Sequence, residues 1–250
     1  MTDPLPPFFR LAAFDTLAST NDEARRLARD GAPEGTLVTA RVQTAGRGRQ
    51  GRSWISAPDN LHASLVLRPD VHVSRAAQLG FAAALAIADA IRHFARTEVT
   101  LKWPNDVLLG GRKVAGILLE SEGDAVGRLG FVVIGIGVNL ATHPSDTEFP
   151  ATSLKAATGI EAVPEAFLAA LAPALALWYE RWRGDGFAGL RRAWLKRATG
   201  LGQALRARLP DETVEGRFAG LDDDGLLLLD VPGGRRRIAA GDVFPTVVEG

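Results

Sequence analysis

The amino-acid sequence predicts an α+β fold: a mixed β-sheet with helices packed on one face, followed by a small C-terminal β-barrel. Three observations carry this expectation. Residues 75–96 repeat apolar side chains four apart, at Leu79, Ala83, Ile87 and Ile91, which marks a helix with one buried stripe. Residues 129–138 form a continuous apolar run of strand length, as expected at the centre of a sheet. After Gly200-Leu201-Gly202 the pattern changes to short strand-like segments at tight spacing. A chain of 250 residues accommodates one large domain and a small one, here divided as 1–200 and 201–250.

Taken in order, the Pro-rich start Met1-Thr2-Asp3-Pro4-Leu5-Pro6-Pro7 lacks a basic stretch followed by an apolar run, so no signal peptide is expected. Thr20-Asn21-Asp22-Glu23 reads as a helix start, with Thr20 as cap and Glu23 closing a capping box, and the helix ends near Gly31. A strand at 36–42 leads into a glycine-arginine loop at 43–54, and the next strand, 61–67, is ended by Pro69. The helix 75–96 is followed by a short strand at 100–102, broken at Trp103-Pro104-Asn105-Asp106. Residues 107–109 and 112–120 form a hairpin about the Gly110-Gly111 turn. The central strand 129–138 gives way to a loop-rich region at 141–162. Helices follow at 164–183 and 187–197, the latter with Trp194 on its apolar side. Strands at 203–209, 213–220, 225–230, 235–239 and 243–248 then build the barrel.

Composition removes several classes of function. The formal net charge is +0, which argues against a general nucleic-acid binder. There is no cysteine, so disulfides, thiolate nucleophiles and zinc-thiolate sites are excluded. His62, His72, His93 and His143 fall at no metal-ligand spacing. The most apolar helical stretch, 166–178, contains Pro173 and is too short to span a bilayer. A cytoplasmic protein without membrane association is expected.

Five segments carry chemistry. In Gln43-Thr44-Ala45-Gly46-Arg47-Gly48-Arg49-Gln50-Gly51-Arg52-Ser53-Trp54, arginines alternate with glycines and a tryptophan closes the run. Glycine allows close backbone approach to a ligand, the guanidinium fork holds phosphate or carboxylate oxygens, and the indole offers a stacking face. The segment matches neither a P-loop nor a dinucleotide fingerprint. Lys102-Trp103-Pro104-Asn105-Asp106 is a polar turn at a strand end, where Asp106 can orient a base or a phosphate assembly. Lys113 opens the apolar run 114–119 and, if directed into a site, can neutralise a carboxylate and a phosphate together. In Gly135-Ile136-Gly137-Val138-Asn139 the glycines admit a ring closely, and Asn139 offers both donor and acceptor to a base. Ser19-Thr20-Asn21 caps a helix, a position that also attracts polar groups.

Together, and in this order, the five segments resemble the biotin protein ligase family, the biotin–[acetyl-CoA-carboxylase] ligases; the likeness extends over nearly the whole chain. It implies a class II synthetase-like catalytic domain with a C-terminal SH3-like barrel, and a two-step reaction. Biotin and MgATP first form biotinyl-5′-AMP and pyrophosphate; the biotinyl group then passes to one lysine of a biotin carboxyl carrier protein. By the family pattern, biotin would be bound by Ser19, Thr20, Asn21, Gln43, Gly46, Arg47, Gly48, Arg49, Lys113 and Gly116. ATP would be bound by Arg47, Arg49, Arg52, Trp54, Asn105, Lys113 and Asn139. Lys113, Arg47, Arg49 and Asp106 would carry the chemistry, with Lys113 between the carboxylate and the α-phosphate. Mg2+ would accompany ATP, its protein ligands unassigned. A homodimer joined through a sheet edge is common in the family.

Two departures are visible. Many relatives carry an N-terminal helix-turn-helix; here the segment Ser19-Thr20-Asn21 comes almost at once, so no DNA-binding function is expected. Position 50 is Gln where some relatives have a further arginine. The competing readings are a lipoate or octanoate ligase or transferase of related fold, and a non-catalytic biotin-binding module. The intact glycine-arginine loop and Lys102–Asp106 segment favour biotin.

Overall fold

The computed structural model describes residues 5–246. The reading of the first four residues and the last two residues of the 243–248 strand lie outside this range.

Among the described residues, two β-sheets and five α-helices make the fold. The strands of the first sheet are β1 (Arg10–Leu17), β2 (Thr36–Gln43), β3 (Leu61–Leu67), β4 (Val99–Lys102), β5 (Asp106–Leu109), β6 (Arg112–Gly123) and β7 (Leu129–Val138). Their order is β1-β2-β3-β7-β6-β5-β4. β1 and β2 are parallel and the other pairs antiparallel, so the sheet is mixed. β7 lies at its centre, as its apolar run requires. The β5–β6 turn uses Gly110 at φ 58° and Gly111 at φ 73°, the positive values a two-residue hairpin demands.

The helices are α1 (Thr20–Arg29), α2 (Leu79–Phe94), α3 (Leu154–Thr158), α4 (Pro164–Asp185) and α5 (Phe187–Leu195). They do not share one face of the sheet. Alternation along β3 sends Leu61, Ala63, Leu65 and Leu67 into the main core with α2, α4 and α5. Val66 points the other way, into a second cluster with Ala24 and Ala28 of α1. α1 is strongly amphipathic and short, and this small second core is what it covers.

Other differences have physical reasons. β1 gave no strand signal because it is an edge strand without a fully buried residue: Leu11 and Phe14 lie in solvent, and only Ala12 and Leu17 pack, partly buried, against the second core. The segment 73–78 is a 3-10 turn that precedes α2 rather than its first α-turns. Pro173 sits inside α4 without ending it. α3 forms within the region expected to be loop, capped by Ser153 accepting from the Ala156 N–H at 3.2 Å and closed by Gly159 at φ 74°.

The second sheet comprises β8 (Ala204–Arg208), β9 (Thr213–Leu221), β10 (Leu227–Val231), β11 (Gly234–Ile238) and β12 (Asp242–Pro245). All its pairs are antiparallel, in the order β11-β10-β9-β8-β12. Among the described residues β11 and β12 do not pair, so the sheet is open rather than a closed barrel. It joins the main core through Phe218, Leu227 and Leu229, and Trp103 Nε1 donates to Gly225 O at 3.1 Å.

Candidate active site

A cavity of about 400 Å³ opens where α1, the loop 43–54, β4 to β7, the loop 141–150 and β12 converge. That size suits a small-molecule site. One end is neutral and polar. Ser19 occupies the N-cap of α1, but no side-chain cap bond forms. Thr20 is therefore the first helical residue, not the cap, and Glu23 pairs with Arg26 instead of closing a capping box. Thr20 N and Oγ1 both donate to Gln43 Oε1, at 2.9 and 3.1 Å. Ser64 Oγ donates to Asn21 Oδ1 at 2.6 Å and lies 2.8 Å from Thr20 Oγ1. Asn21 Nδ2 donates to Glu120 Oε2 at 2.7 Å. Ser19, Thr20, Asn21 and Ser64 are all buried, and the network of Thr20, Asn21 and Ser64 is stable there because each of these three side chains has a partner.

The opposite end is cationic. Lys113 Nζ stands 2.5 Å from Asp106 Oδ1. Lys102 Nζ is 3.7 Å from Asp106 Oδ2 and lies over the Phe149 ring, 3.6 Å from its centroid. Arg49 reaches Asn105 Oδ1 at 3.4 Å and Gly241 O at 3.3 Å; burial lowers its pKa. Between the two ends the Trp54 indole lies over Gly116 and Gly137. A Cβ on Gly137 would strike its Cε2 and Cζ2, and one on Gly116 would come within 3.0 Å of its Cζ3. Trp54 Nε1 is buried and finds no acceptor among the described residues.

The 43–54 loop folds as a narrow tongue. Arg47 bridges Ser53, Trp54 N donates to Gly46 O at 2.9 Å, and a 3-10 turn at Arg49–Gly51 forms the tip. Gln50 holds φ 56° there, a left-handed position uncommon for any residue but glycine. Two clasps hold the tongue. Arg47 Nη1 donates to Asp22 Oδ2 at 2.6 Å and Nη2 reaches Glu120 Oε1 at 3.2 Å. That hydrogen bond from Arg47 draws the Asp22 carboxyl below its ordinary pKa and raises the guanidinium's own. Arg52 Nη2 donates to Asp242 Oδ1 at 2.8 Å, Asp242 lies 3.4 Å from Arg208, and Arg208 grips Glu148 through two bonds of 2.6 and 2.8 Å. Burial opposes the charged form of Asp242, yet its arginine partners bring its pKa below the ordinary value.

Nearly all the residues singled out in the sequence line this cavity. Ser19, Thr20, Asn21 and Gln43 stand at one end. Arg47, Gly48, Arg49, Arg52 and Trp54 descend from the tongue. Asn105, Asp106, Lys113, Gly116 and Asn139 complete the wall. Gly46 does not reach the wall: a Cβ there would meet Trp54 O at 2.8 Å and Gln43 Nε2 at 3.1 Å, so it serves the tight base of the tongue. The Arg47 side chain is spent on Asp22 and Glu120, and the Asn139 amide nitrogen on Thr152 O at 3.0 Å.

Several site residues escaped sequence reasoning. Ser64 stands between Ala63 and Leu65 in a strand that is buried throughout, where it and His62 are polar interruptions of an apolar run, a signal that was readable. Glu120, Glu148, Phe149, Asp242 and Phe244 carried no comparable local signal. Among the described residues no group of three or more His, Cys, Asp or Glu is arranged to hold a metal, and no helix is long and apolar enough to cross a membrane.

Comparison with known proteins adds independent findings. The family model described as "Biotin/lipoate A/B protein ligase family" matches residues 13–139, and "Biotin protein ligase C terminal domain" matches 200–244. The chain is 46% identical over 233 residues to a biotin–[acetyl-CoA-carboxylase] ligase of Paracoccus denitrificans, covering 90% of this chain and 96% of that protein. It is 38% identical to the bifunctional ligase/repressor BirA of Bacillus subtilis (strain 168), covering 92% of this chain and 72% of that protein. The biotin protein ligase of Aquifex aeolicus, solved in complex with biotin and ATP, superposes with a TM-score of 0.81 at 25% identity, covering 95% of this chain and 99% of the other.

Proposed function

The chain belongs to the biotin/lipoate A/B protein ligase family, and from that premise we propose that it is an ATP-dependent ligase that activates biotin as biotinyl-5′-AMP and transfers it to a carboxylase. The carrying observation is the division of one cavity into a neutral hydrogen-bonding end and a cationic end, bridged by an indole. Such a cavity suits a substrate with an uncharged polar ring system at one end and a carboxylate at the other, the carboxylate meeting a polyphosphate. Relatives named as biotin ligases support the same substrate.

In this reading Thr20, Asn21 and Gln43, with Ser19 beside them, present donors and acceptors to the biotin rings, and Gly116 leaves room for the ring system. The biotin carboxylate oxygen attacks the α-phosphorus of ATP. The bond from that phosphorus to the bridging oxygen breaks, and pyrophosphate leaves with the electron pair. Two anions are thereby forced together, so fixed positive charge facing them lowers the barrier. Lys113, held by Asp106, supplies it at the carboxylate and α-phosphate, and Arg49 and Arg52 supply it from the tongue. The Gly48 backbone permits close approach. The Arg47 side chain acts by clamping the tongue, which leaves its backbone for the ligand. Trp54 walls the junction of biotin and nucleotide, and Asn105 and Asn139 face the adenosine side. In the second step the acceptor lysine nitrogen attacks the acyl carbon, the bond to AMP oxygen breaks, and the proton lost from nitrogen is assigned to the Asp106 carboxylate. The closed tongue keeps water from the reactive adenylate until then.

The carboxylates on the cavity wall, Asp106, Glu148 and Asp242, are each paired with Lys or Arg, so Mg2+ fits as part of the nucleotide substrate rather than as a resident metal. The acceptor in this proposal is the biotin carboxyl carrier domain, in the cytoplasm. A homodimer could form through a sheet edge, and β1, paired on one side only, offers one. The deciding experiment is biotin-dependent ATP–pyrophosphate exchange, followed by labelling of a carrier domain with radioactive biotin. Exchange driven by lipoate and not by biotin would replace biotin with lipoate as substrate. Absence of both exchange and labelling would leave only a binding module.

A further inference from the structure

Lys102 has no part in the steps above, yet it is a buried cation on the cavity wall. It ends β4, and its ammonium makes three contacts. An ion pair of 3.7 Å joins it to Asp106 Oδ2, too long for a hydrogen bond. The ring of Phe149 lies 3.6 Å away, and that of Phe244 5.5 Å away. Burial lowers its pKa, while two aromatic faces and a carboxylate favour the charged form. The rings fix its direction but take none of its three N–H donors, and a buried ammonium in that state is suited to an anionic ligand. Lys113 sits on the other oxygen of the same carboxylate. Asp106 thus sets two ammonium groups side by side, as neighbouring phosphates of one chain require. The two rings come from the loop after β7 and from β12, so three separate segments aim this side chain.

We propose that Lys102 is a catalytic ligand of the leaving pyrophosphate. As the bond between the α-phosphorus and its bridging oxygen breaks, that oxygen keeps the electron pair. Lys102 donates to the β- and γ-phosphate oxygens on which the extra charge spreads, while Lys113 remains at the α-phosphate. Phe149 and Phe244 are positioning residues that hold the ammonium toward the leaving group. This assignment rests on the ligase reading.

Because pyrophosphate takes part only in the first step, the two half-reactions separate the roles. Lys102→Met should raise the KM for inorganic pyrophosphate in exchange and slow adenylate formation, by about 10²-fold, as removal of one preorganised donor does. Transfer to a carrier domain from supplied synthetic biotinyl-5′-AMP should change far less than adenylate formation, since Lys102 touches that step only through its ion pair with Asp106, and biotin binding should be unchanged. Lys102→Arg should recover part of the pyrophosphate affinity that Lys102→Gln loses, and this pair carries the test if the methionine variant does not fold. An unchanged pyrophosphate KM in Lys102→Met, or an equal fall in transfer from supplied adenylate, overturns the assignment. Equal losses in the arginine and glutamine variants overturn it too. Wild-type protein that shows no biotin-dependent exchange refutes the ligase reading itself, a separate outcome.

Discussion

Gly135→Ala tests the packing behind the neutral end of the cavity. Gly135 pairs with Ser64 on one side and Leu118 on the other, so its strand position is fixed from both neighbours. A Cβ at this position would strike Asn21 Oδ1 and come within 2.9 Å of its Cγ and 3.0 Å of its Nδ2. Asn21 is 4% exposed and Ser64 0%, so the amide has no free space to enter without giving up its partners. Moving it breaks the bond from Ser64 and the bond to the Glu120 carboxylate. A neutral and a charged hydrogen bond of this kind are together worth about 2–4 kcal/mol. Against a total stability of roughly 5–15 kcal/mol, that is a large fraction. Urea unfolding should show a lower midpoint at unchanged slope, and biotin titration should show weakened binding. The cycle with Asn21→Ala is decisive, since that variant removes the atoms in the way and should make Gly135→Ala far cheaper. Stability within about 0.5 kcal/mol of wild type, or additive effects in the cycle, would refute the reasoning.

Other perturbations address the cationic end and the tongue. Lys113→Ala should lower biotin-dependent exchange by about 10²–10³-fold while the protein stays folded, measured by exchange and far-ultraviolet circular dichroism; near-wild-type exchange would remove Lys113 from its role. Asp242→Arg should free Arg52, raise protease sensitivity within 43–54 and hasten escape of biotinyl-5′-AMP, and Arg52→Asp in the same chain should restore part of both; failure of the swap would dissociate the second sheet from closure. The Asp22 carboxyl is held below its ordinary value of 3.8 by Arg47. A depressed carboxyl contributes stability above its unfolded pKa and loses it as pH falls through the folded one. Protection of the tongue amides, taken relative to their intrinsic exchange rates at each pH, should therefore stay constant from neutral to mildly acid pH and fall only below about pH 4; a loss of protection centred near pH 6 would point to another group.

Elements with their own local signal were legible in the sequence. β7 announces itself by an unbroken apolar run, the β5–β6 hairpin by paired glycines, and α2 by a four-residue apolar repeat. β1 was not legible, because an edge strand that packs only Ala12 and Leu17, five residues apart, has no alternating buried face. The side of the sheet taken by α1 was hidden for a related reason. Periodicity says that a helix buries one face, and not which sheet surface receives it.

The sequence by itself determined the chemistry available: an arginine-glycine tongue, a lysine after a tight turn, a helix start rich in small polar groups, and no thiol. It also determined the family, through five motifs in order. Tertiary structure alone decided how those groups are employed. Arg47 and Arg49 carry the same guanidinium and both line the cavity, but Arg47 is paired with the Asp22 and Glu120 carboxylates, whereas Arg49 meets only the neutral oxygens of Asn105 and Gly241. Lys102 became a site residue only when Phe149 and Phe244 arrived from distant segments. A side chain's donors and charge are set by its own atoms. The partners that engage or leave free those donors come from residues far along the chain, and only folding brings them together.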